Sequence, residues 1–248
     1  MPGKSHRAPC LGLVRAGALV FAGWMTSSPR AVIFDLDGTL LDSLHDIGAA
    51  LNHALSTHGL PLHPLPAYRH FVGEGVQVLV SRALPPGRED LHAPVLATYR
   101  AFYAEHMFDH TRPFPGIPEV LARLEAEGVK LAVLSNKPDA ATRKLVAALL
   151  PQVPFAVVYG ERTGVPRKPD PTAALGVAAE LGVAPGECAF IGDTAVDVET
   201  ARASGMYAVG VTWGFRDVDE LESHGAQVIA RTSEELLRAL VPVPVLGM

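Results

Sequence analysis

From residue 29 onward, short apolar runs alternate with longer segments whose apolar positions recur every three or four residues. The runs are AVIFDL (31–36), VKLAVLS (129–135), FAVVYG (155–160), CAFIG (188–192) and YAVGVTW (207–213). Each is rich in Val, Ile or Ala, too continuous for a strand with one wet face, and is followed by polar or glycine-bearing residues. Between them lie amphipathic stretches such as EVLARLEAEG (119–128) and ATRKLVAALL (141–150). This alternation predicts an α/β fold: a Rossmann-like parallel sheet with helices on both faces and right-handed crossovers.

The alternation is interrupted once. Residues 44–112 contain no strand-like run, but DIGAALNHALSTHG (46–59), GVQVLVSRAL (75–84) and LHAPVLATYRAFYAEHM (91–107) carry helical spacing. The expected organisation is therefore a core of residues 29–43 and 113–242 and a small helical cap of residues 44–112. The cap leaves and rejoins the core at neighbouring points that are suited to act as a hinge. Residues 1–28 fit neither part. Arg15 breaks their one apolar stretch, which is too short for a membrane span. They read as an unstructured extension, with Met25 as an alternative start and a cleaved signal peptide as the lesser alternative.

Composition changes this picture only by exclusion. With 48% hydrophobic residues in 248, the chain can bury a substantial core. The net charge of −5 and the scattered basic residues argue against a nucleic-acid surface. Two cysteines, Cys10 and Cys188, make neither a disulfide framework nor a zinc cluster and fit a reducing, cytoplasmic setting. Neither a nucleic acid nor a membrane is expected as a partner, and the chain reads as a monomer or homodimer.

The chemistry lies where the runs end. Ligands of open parallel sheets bind beyond the carboxyl ends of the strands. The first run ends in Asp35 and Asp37, followed by Gly38 and Thr39; CAFIG ends in Asp193, with Asp197 four residues on in the first turn of a predicted helix. Carboxylates held together need a cation, and a hard divalent ion such as Mg²⁺ suits them. Ser135-Asn136-Lys137 follows the second run, where a hydroxyl and backbone N–H groups at a helix N-terminus can bind a phosphoryl oxygen. Lys168, in RKPDP, can neutralise charge on a transferring phosphoryl group. Asn136 and Lys137 are equally readable as the start of a helix. Taken singly, the Asp35–Gly38 stretch reads as a turn, and Asp193 and Ser135 as helix caps. Four such groups at successive run ends do not.

In order, DLDGTLLDS, LSN, RKPDP and GDTAVDVETARASGM resemble the motifs of the haloacid dehalogenase superfamily of phosphotransferases, over residues 30 to about 212. The insertion after the first motif resembles its small helical cap class. VGEGVQVLVSRAL and DVETARASGM make the chain most similar to the phosphoglycolate phosphatases of that superfamily. The resemblance implies that Asp35 attacks phosphorus, while Asp37 protonates the leaving alkoxide and later activates water. It also implies that Asp35, Asp193 and the main-chain carbonyl of Asp37 hold Mg²⁺, that Asp197 supports the metal site, and that Ser135 and Lys168 contact the phosphoryl group. Gly38, Thr39 and Asn136 would lie at the phosphate, and Gly73, Glu74 and Gly75 on a loop that the cap lowers over the substrate. An acid at position 37 separates phosphatases from dehalogenases in the family. The implied reaction is hydrolysis of a small phosphorylated metabolite, 2-phosphoglycolate, to glycolate and phosphate. The alternatives are a sugar-phosphate phosphatase or mutase, a pyrophosphatase on the same scaffold, or a non-catalytic metabolite-binding protein. Histidines 45, 53, 58, 63 and 70 lack a tight ligand spacing and read as surface or packing residues. Arg82 reads as a solvent-facing helical residue.

Overall fold

The structure is a computed structural model that describes residues 28–241, so the extension read at residues 1–28 lies, but for Ser28, outside the described residues. Its centre is a six-stranded sheet of β1 (Ala31–Phe34), β4 (Lys130–Pro138), β5 (Val157–Glu161), β6 (Cys188–Gly192), β7 (Tyr207–Val211) and β8 (Val228–Ala230), in the order β5-β4-β1-β6-β7-β8. Every pairing in it is parallel, as the continuous apolar runs predict. β8 was not foreseen. Three residues at the sheet edge, half-buried Val228 and Ile229 and buried Ala230, give too little periodicity to read.

Alternation along β1 divides the core between the two faces. Val32 and Phe34 pack with Leu131 and Val133 on one face, Ala31 and Ile33 with Ala132 and Leu134 on the other. The first face is covered by α5 (Ile117–Ala126), α6 (Asp139–Leu149) and α10 (Ser233–Leu240). The second is covered by α7 (Thr172–Leu181), α8 (Ala195–Ala203) and α9 (Val218–Ser223). Burying one such side chain as large as Phe34 contributes about 1.5–3 kcal/mol.

The insertion comprises α1 (Leu44–Thr57), α2 (Tyr68–Phe71), α3 (Val76–Ala83) and α4 (His92–His106). The three predicted helices are present, and α2 is an additional single turn between them. Two short antiparallel strands, β2 (Leu41–Asp42) and β3 (Arg112–Pro113), pair at its neck, so the two connections run side by side. Asp46 ties that neck further. Its buried carboxylate accepts hydrogen bonds from the N–H groups of His110 and Thr111 and from the Thr111 hydroxyl. Burial opposes ionisation of Asp46, but these bonds outweigh it and hold the carboxyl below its usual range. Apolar residues of α1 to α4, such as Leu51, Tyr68 and Val95, are continuous with the first sheet face rather than a core apart. Among the described residues no helix is long and apolar enough to cross a membrane.

Candidate active site

β1 sits where the chain order turns outward in both directions, flanked by β4 and β6, and this switch point is where a ligand crevice opens. The ladder of β1 stops at Phe34, and the main-chain N–H of Asp35 still reaches Ile191 O at 2.9 Å. The chain then turns tightly, with the N–H groups of Leu40 and Leu41 both returning to Leu36 O. Gly38 lies inside this turn at φ +89°, and a Cβ there would run into the Asp193 carboxylate. Glycine at 38 thus lets the β1 and β6 loops meet.

Asp35, Asp193 and Asp197 form a buried group, with carboxylate oxygens within 4.8 Å of one another. Lys168 lies among them: its Nζ donates to Asp35 Oδ1 at 2.7 Å and to Asp197 Oδ1 at 2.6 Å. The lysine comes from the loop after β5, seven residues beyond the strand, rather than from the strand end itself. Asn136 fixes that loop, accepting from the Lys168 N–H and donating to the Lys168 carbonyl. Asp197, in the first turn of α8, also accepts from the N–H and hydroxyl of Thr194, closing a capping box. Asp193 accepts from the Phe215 N–H at 2.7 Å and the Thr39 hydroxyl at 3.2 Å.

Three carboxylates and one ammonium leave a charge of −2 when all are ionised. Burial, repulsion from Asp197 and the opposing pull of Lys168 together push Asp35 up to about 6. Burial and the neighbouring Asp197 and Asp35 likewise hold Asp193 well above the usual carboxylate range. Burial alone would lower Lys168, but Asp197 and Asp35 overcome it and hold the ammonium firmly charged. A compact, oxygen-only donor set with excess negative charge fits a hard divalent cation such as magnesium.

These shifts set a stability prediction. Between pH 4 and 6 the folded metal-free protein binds more protons at Asp35 than the unfolded chain does, so its stability falls as pH rises through that window, by about 3 kcal/mol from Asp35 with Asp193 acting in the same sense. Asp46 and Asp139, whose carboxyls are held low, act in the opposite sense and only below that window. Urea unfolding in a chelator from pH 4 to 7 should show the decline, and Mg²⁺ should reverse it at the upper end. A stability that rose across pH 4–6 in chelator would contradict it.

Asp37 does not join this group. The sequence suggested an extended chain with Asp35 and Asp37 on one side; both line the same cavity, but each is held by its own lysine. Lys137 Nζ donates to both Asp37 oxygens, at 3.1 and 2.9 Å, and the Ser43 hydroxyl donates to Oδ1 at 2.6 Å. Ser135, Asn136 and Lys137 are also not at a helix N-terminus: β4 continues through Pro138 and α6 begins at Asp139. The pairing of β4 with β5 shifts register between Leu134 and Pro138, which re-aims this segment. Lys137 is the residue that the sequence reasoning undervalued. Its signal was the two-residue spacing from Ser135, which in an extended segment puts both on one side.

The remaining expectations fall in different places. Ser135, Asn136, Gly73 and Gly75 line the cavity, whereas Gly38 and Thr39 pack behind Asp193. The Asn136 amide also donates to Gly73 O, and Arg167 Nη1 donates to Glu74 O, which pins the 73–75 loop to the sheet side. The Glu74 carboxylate turns to Arg82 and is not among the cavity-lining residues, so Arg82 is exposed but paired. Most insertion histidines pack, His53 on Phe102 and His63 on Phe71. His45 instead meets His110 over Asp46, a grouping that linear spacing hid, with the Asp46 oxygens already occupied by the neck hydrogen bonds.

A sequence model of the family described as haloacid dehalogenase-like hydrolase matches residues 32–211. The chain is 39% identical to a phosphoglycolate phosphatase of Pseudomonas putida, over 86% of this chain and 79% of that one. It is 33% identical to a phosphoglycolate phosphatase of Mesorhizobium japonicum, over 84% and 96% of the two. A crystal structure from Lactobacillus delbrueckii subsp. bulgaricus, 36% identical, superposes with a TM-score of 0.83 over 87% of this chain and 100% of its own.

Proposed function

The chain belongs to the haloacid dehalogenase-like hydrolase family, and on that premise we propose that it is a magnesium-dependent phosphomonoesterase acting on 2-phosphoglycolate through a phospho-Asp35 intermediate. The observation that carries the reading is the division of labour between two neighbouring carboxylates. Asp35 is buried against Lys168 beside Asp193 and Asp197, while Asp37 stands apart on Lys137 and Ser43, and both line one cavity. Paired carboxylates in different surroundings are what a nucleophile and an acid–base partner require.

In the first displacement an Asp35 oxygen bonds to phosphorus, the phosphorus–oxygen bond to the alcohol breaks, and Asp37 supplies the proton to the departing oxygen. In the second, Asp37 takes a proton from water, whose oxygen attacks the phosphoryl group and frees Asp35. Lys137 and Ser43 hold the Asp37 carboxyl in one orientation throughout. Lys168 keeps Asp35 aligned and offsets charge, and the Ser135 hydroxyl faces the phosphoryl oxygens. Asp35, Asp193 and the carbonyl of Asp37 would hold magnesium, with Asp197 in support. When bound, the ion neutralises charge on the phosphoryl oxygens and the surrounding carboxylates. Segment 44–112 serves as the cap, and its 73–75 loop closes the site against water.

A phosphate-release screen over 2-phosphoglycolate, hexose phosphates, nucleotides and pyrophosphate, with and without Mg²⁺, tests this. The expected result is magnesium-stimulated turnover with 2-phosphoglycolate preferred. Preference for another member moves the substrate, and no turnover on any of them would favour a binding protein.

A further inference from the structure

The cavity beside Asp35 and Asp37 has a volume of about 310 Å³, at the small end of ligand sites. Asp35, Asp37 and Ser135 serve the phosphoryl group at one end of it. Elsewhere its walls are largely apolar, with Ile47, Val76 and Leu79 on the insertion side. A second anion, carried by the leaving group, would be costly among such walls unless a cation met it.

Three cationic residues line this cavity, and they differ in what they already hold. Lys137 is committed to Asp37. Arg100, on α4, and Lys144, on α6, are exposed and make no hydrogen bond, ion pair or ring contact with any described residue. Each stands on a cavity-lining stripe of its helix, Arg100 four residues before Ala104 and Lys144 four after Ala140. Those alanines are short, which leaves room for the long side chains beside them to turn inward. Helix side chains lean toward the helix N-terminus, and α6 begins directly after the Ser135–Pro138 segment, so Lys144 leans toward the Asp35 end. Arg100 belongs to the insertion and Lys144 to the sheet side.

We propose that Arg100 and Lys144 are the specificity-determining pair of this site: they receive a carboxylate of the leaving alcohol from two sides, so that the substrate itself ties segment 44–112 to the core. The inference rests on the phosphomonoesterase reading and deepens it, by naming what selects a carboxylate-bearing ester over a neutral one. A guanidinium offers a planar fork and an ammonium a compact point charge, and a carboxylate has lone pairs enough for both. A neutral ester of the same size would be held by its phosphoryl end alone and would leave the insertion unfastened.

The test compares 2-phosphoglycolate with its amide, 2-(phosphonooxy)acetamide, which has the same size and no second charge. With Mg²⁺ the wild-type protein should favour the acid in kcat/KM by about 100-fold, the worth of two charge-assisted hydrogen bonds. Arg100→Met and Lys144→Met keep the apolar stems and should each cut that preference about tenfold, mainly through KM. The double variant Arg100→Glu with Lys144→Glu should turn over O-phosphoethanolamine, whose leaving group is cationic, about tenfold better than the wild type does, a gain that lost packing would not give. Equal turnover of acid and amide by the wild-type protein overturns the inference and leaves the phosphatase reading standing. No turnover of either, or of a generic aryl phosphate, overturns both. A preference that survives both Met substitutions removes Arg100 and Lys144 from the proposal, and a loss in only one of them overturns the two-sided hold.

Discussion

Asp35→Asn is expected to abolish turnover, lowering kcat by about 10⁴-fold or more, as removal of a nucleophile usually does. The amide is nearly isosteric and still accepts from Lys168 through its oxygen, so the fold should persist. It should do better than persist in chelator. The variant removes a carboxylate whose buried charge is costly, so the fall in stability between pH 4 and 6 should flatten. Activity on a generic aryl phosphate and urea unfolding of the same preparation read the two effects. Near wild-type turnover would refute the nucleophile assignment, whatever the stability measurement gave.

Lys168→Met should cost both stability and activity. Lys168, itself 5% exposed, shares its ammonium between Asp35 and Asp197, and removing one partner of a buried ion pair costs about 3–5 kcal/mol. Loss of a preorganised cation at a phosphoryl group should lower kcat by about 10²–10³-fold. Magnesium should recover part of the stability and little of the rate, since it can balance the carboxylates but cannot hold Asp35 from the loop side. Lys168→Arg should rescue neither, because a planar fork differs in shape from a compact ammonium held between two carboxylates. Thermal unfolding with and without Mg²⁺, together with initial rates, would decide the matter, and a stable, active Lys168→Met protein would remove this lysine from the site.

What could be read in advance was whatever short-range chemistry encodes. Apolar runs that stop in Asp35 and Asp193 announce strand ends, and Gly38 announces a turn, because each depends on neighbours a few residues away. Ser135 was found for the same reason, but Lys137 was half lost, because a polar triplet before Pro138 looks the same whether strand or helix comes next. Tyr99 and Tyr103 are spaced as a helix core stripe, and only the folded chain brings the Tyr103 ring to 4.6 Å from Lys137 Nζ. Arg69 and Arg216 left no local trace, since the carbonyls they donate to, of Gly214 and Phe215 and of Arg69 and Val72 respectively, are set by the folded chain, as is the meeting of His45 with His110.

The stretch after β7 serves two masters. Trp213 Nε1 donates to Thr39 O, and the Phe215 N–H donates to Asp193. On its other side, Arg69 donates to the carbonyls of Gly214 and Phe215, and Arg216 donates to those of Arg69 and Val72. Lifting α2 would therefore break four hydrogen bonds on the same short segment that clamps Asp193. If residues 44–112 move as the proposed cap, this segment would act as an interlock that frames the acid centre with the cap down and slackens it as the cap lifts, so that product escape and loss of the reactive arrangement would become a single event.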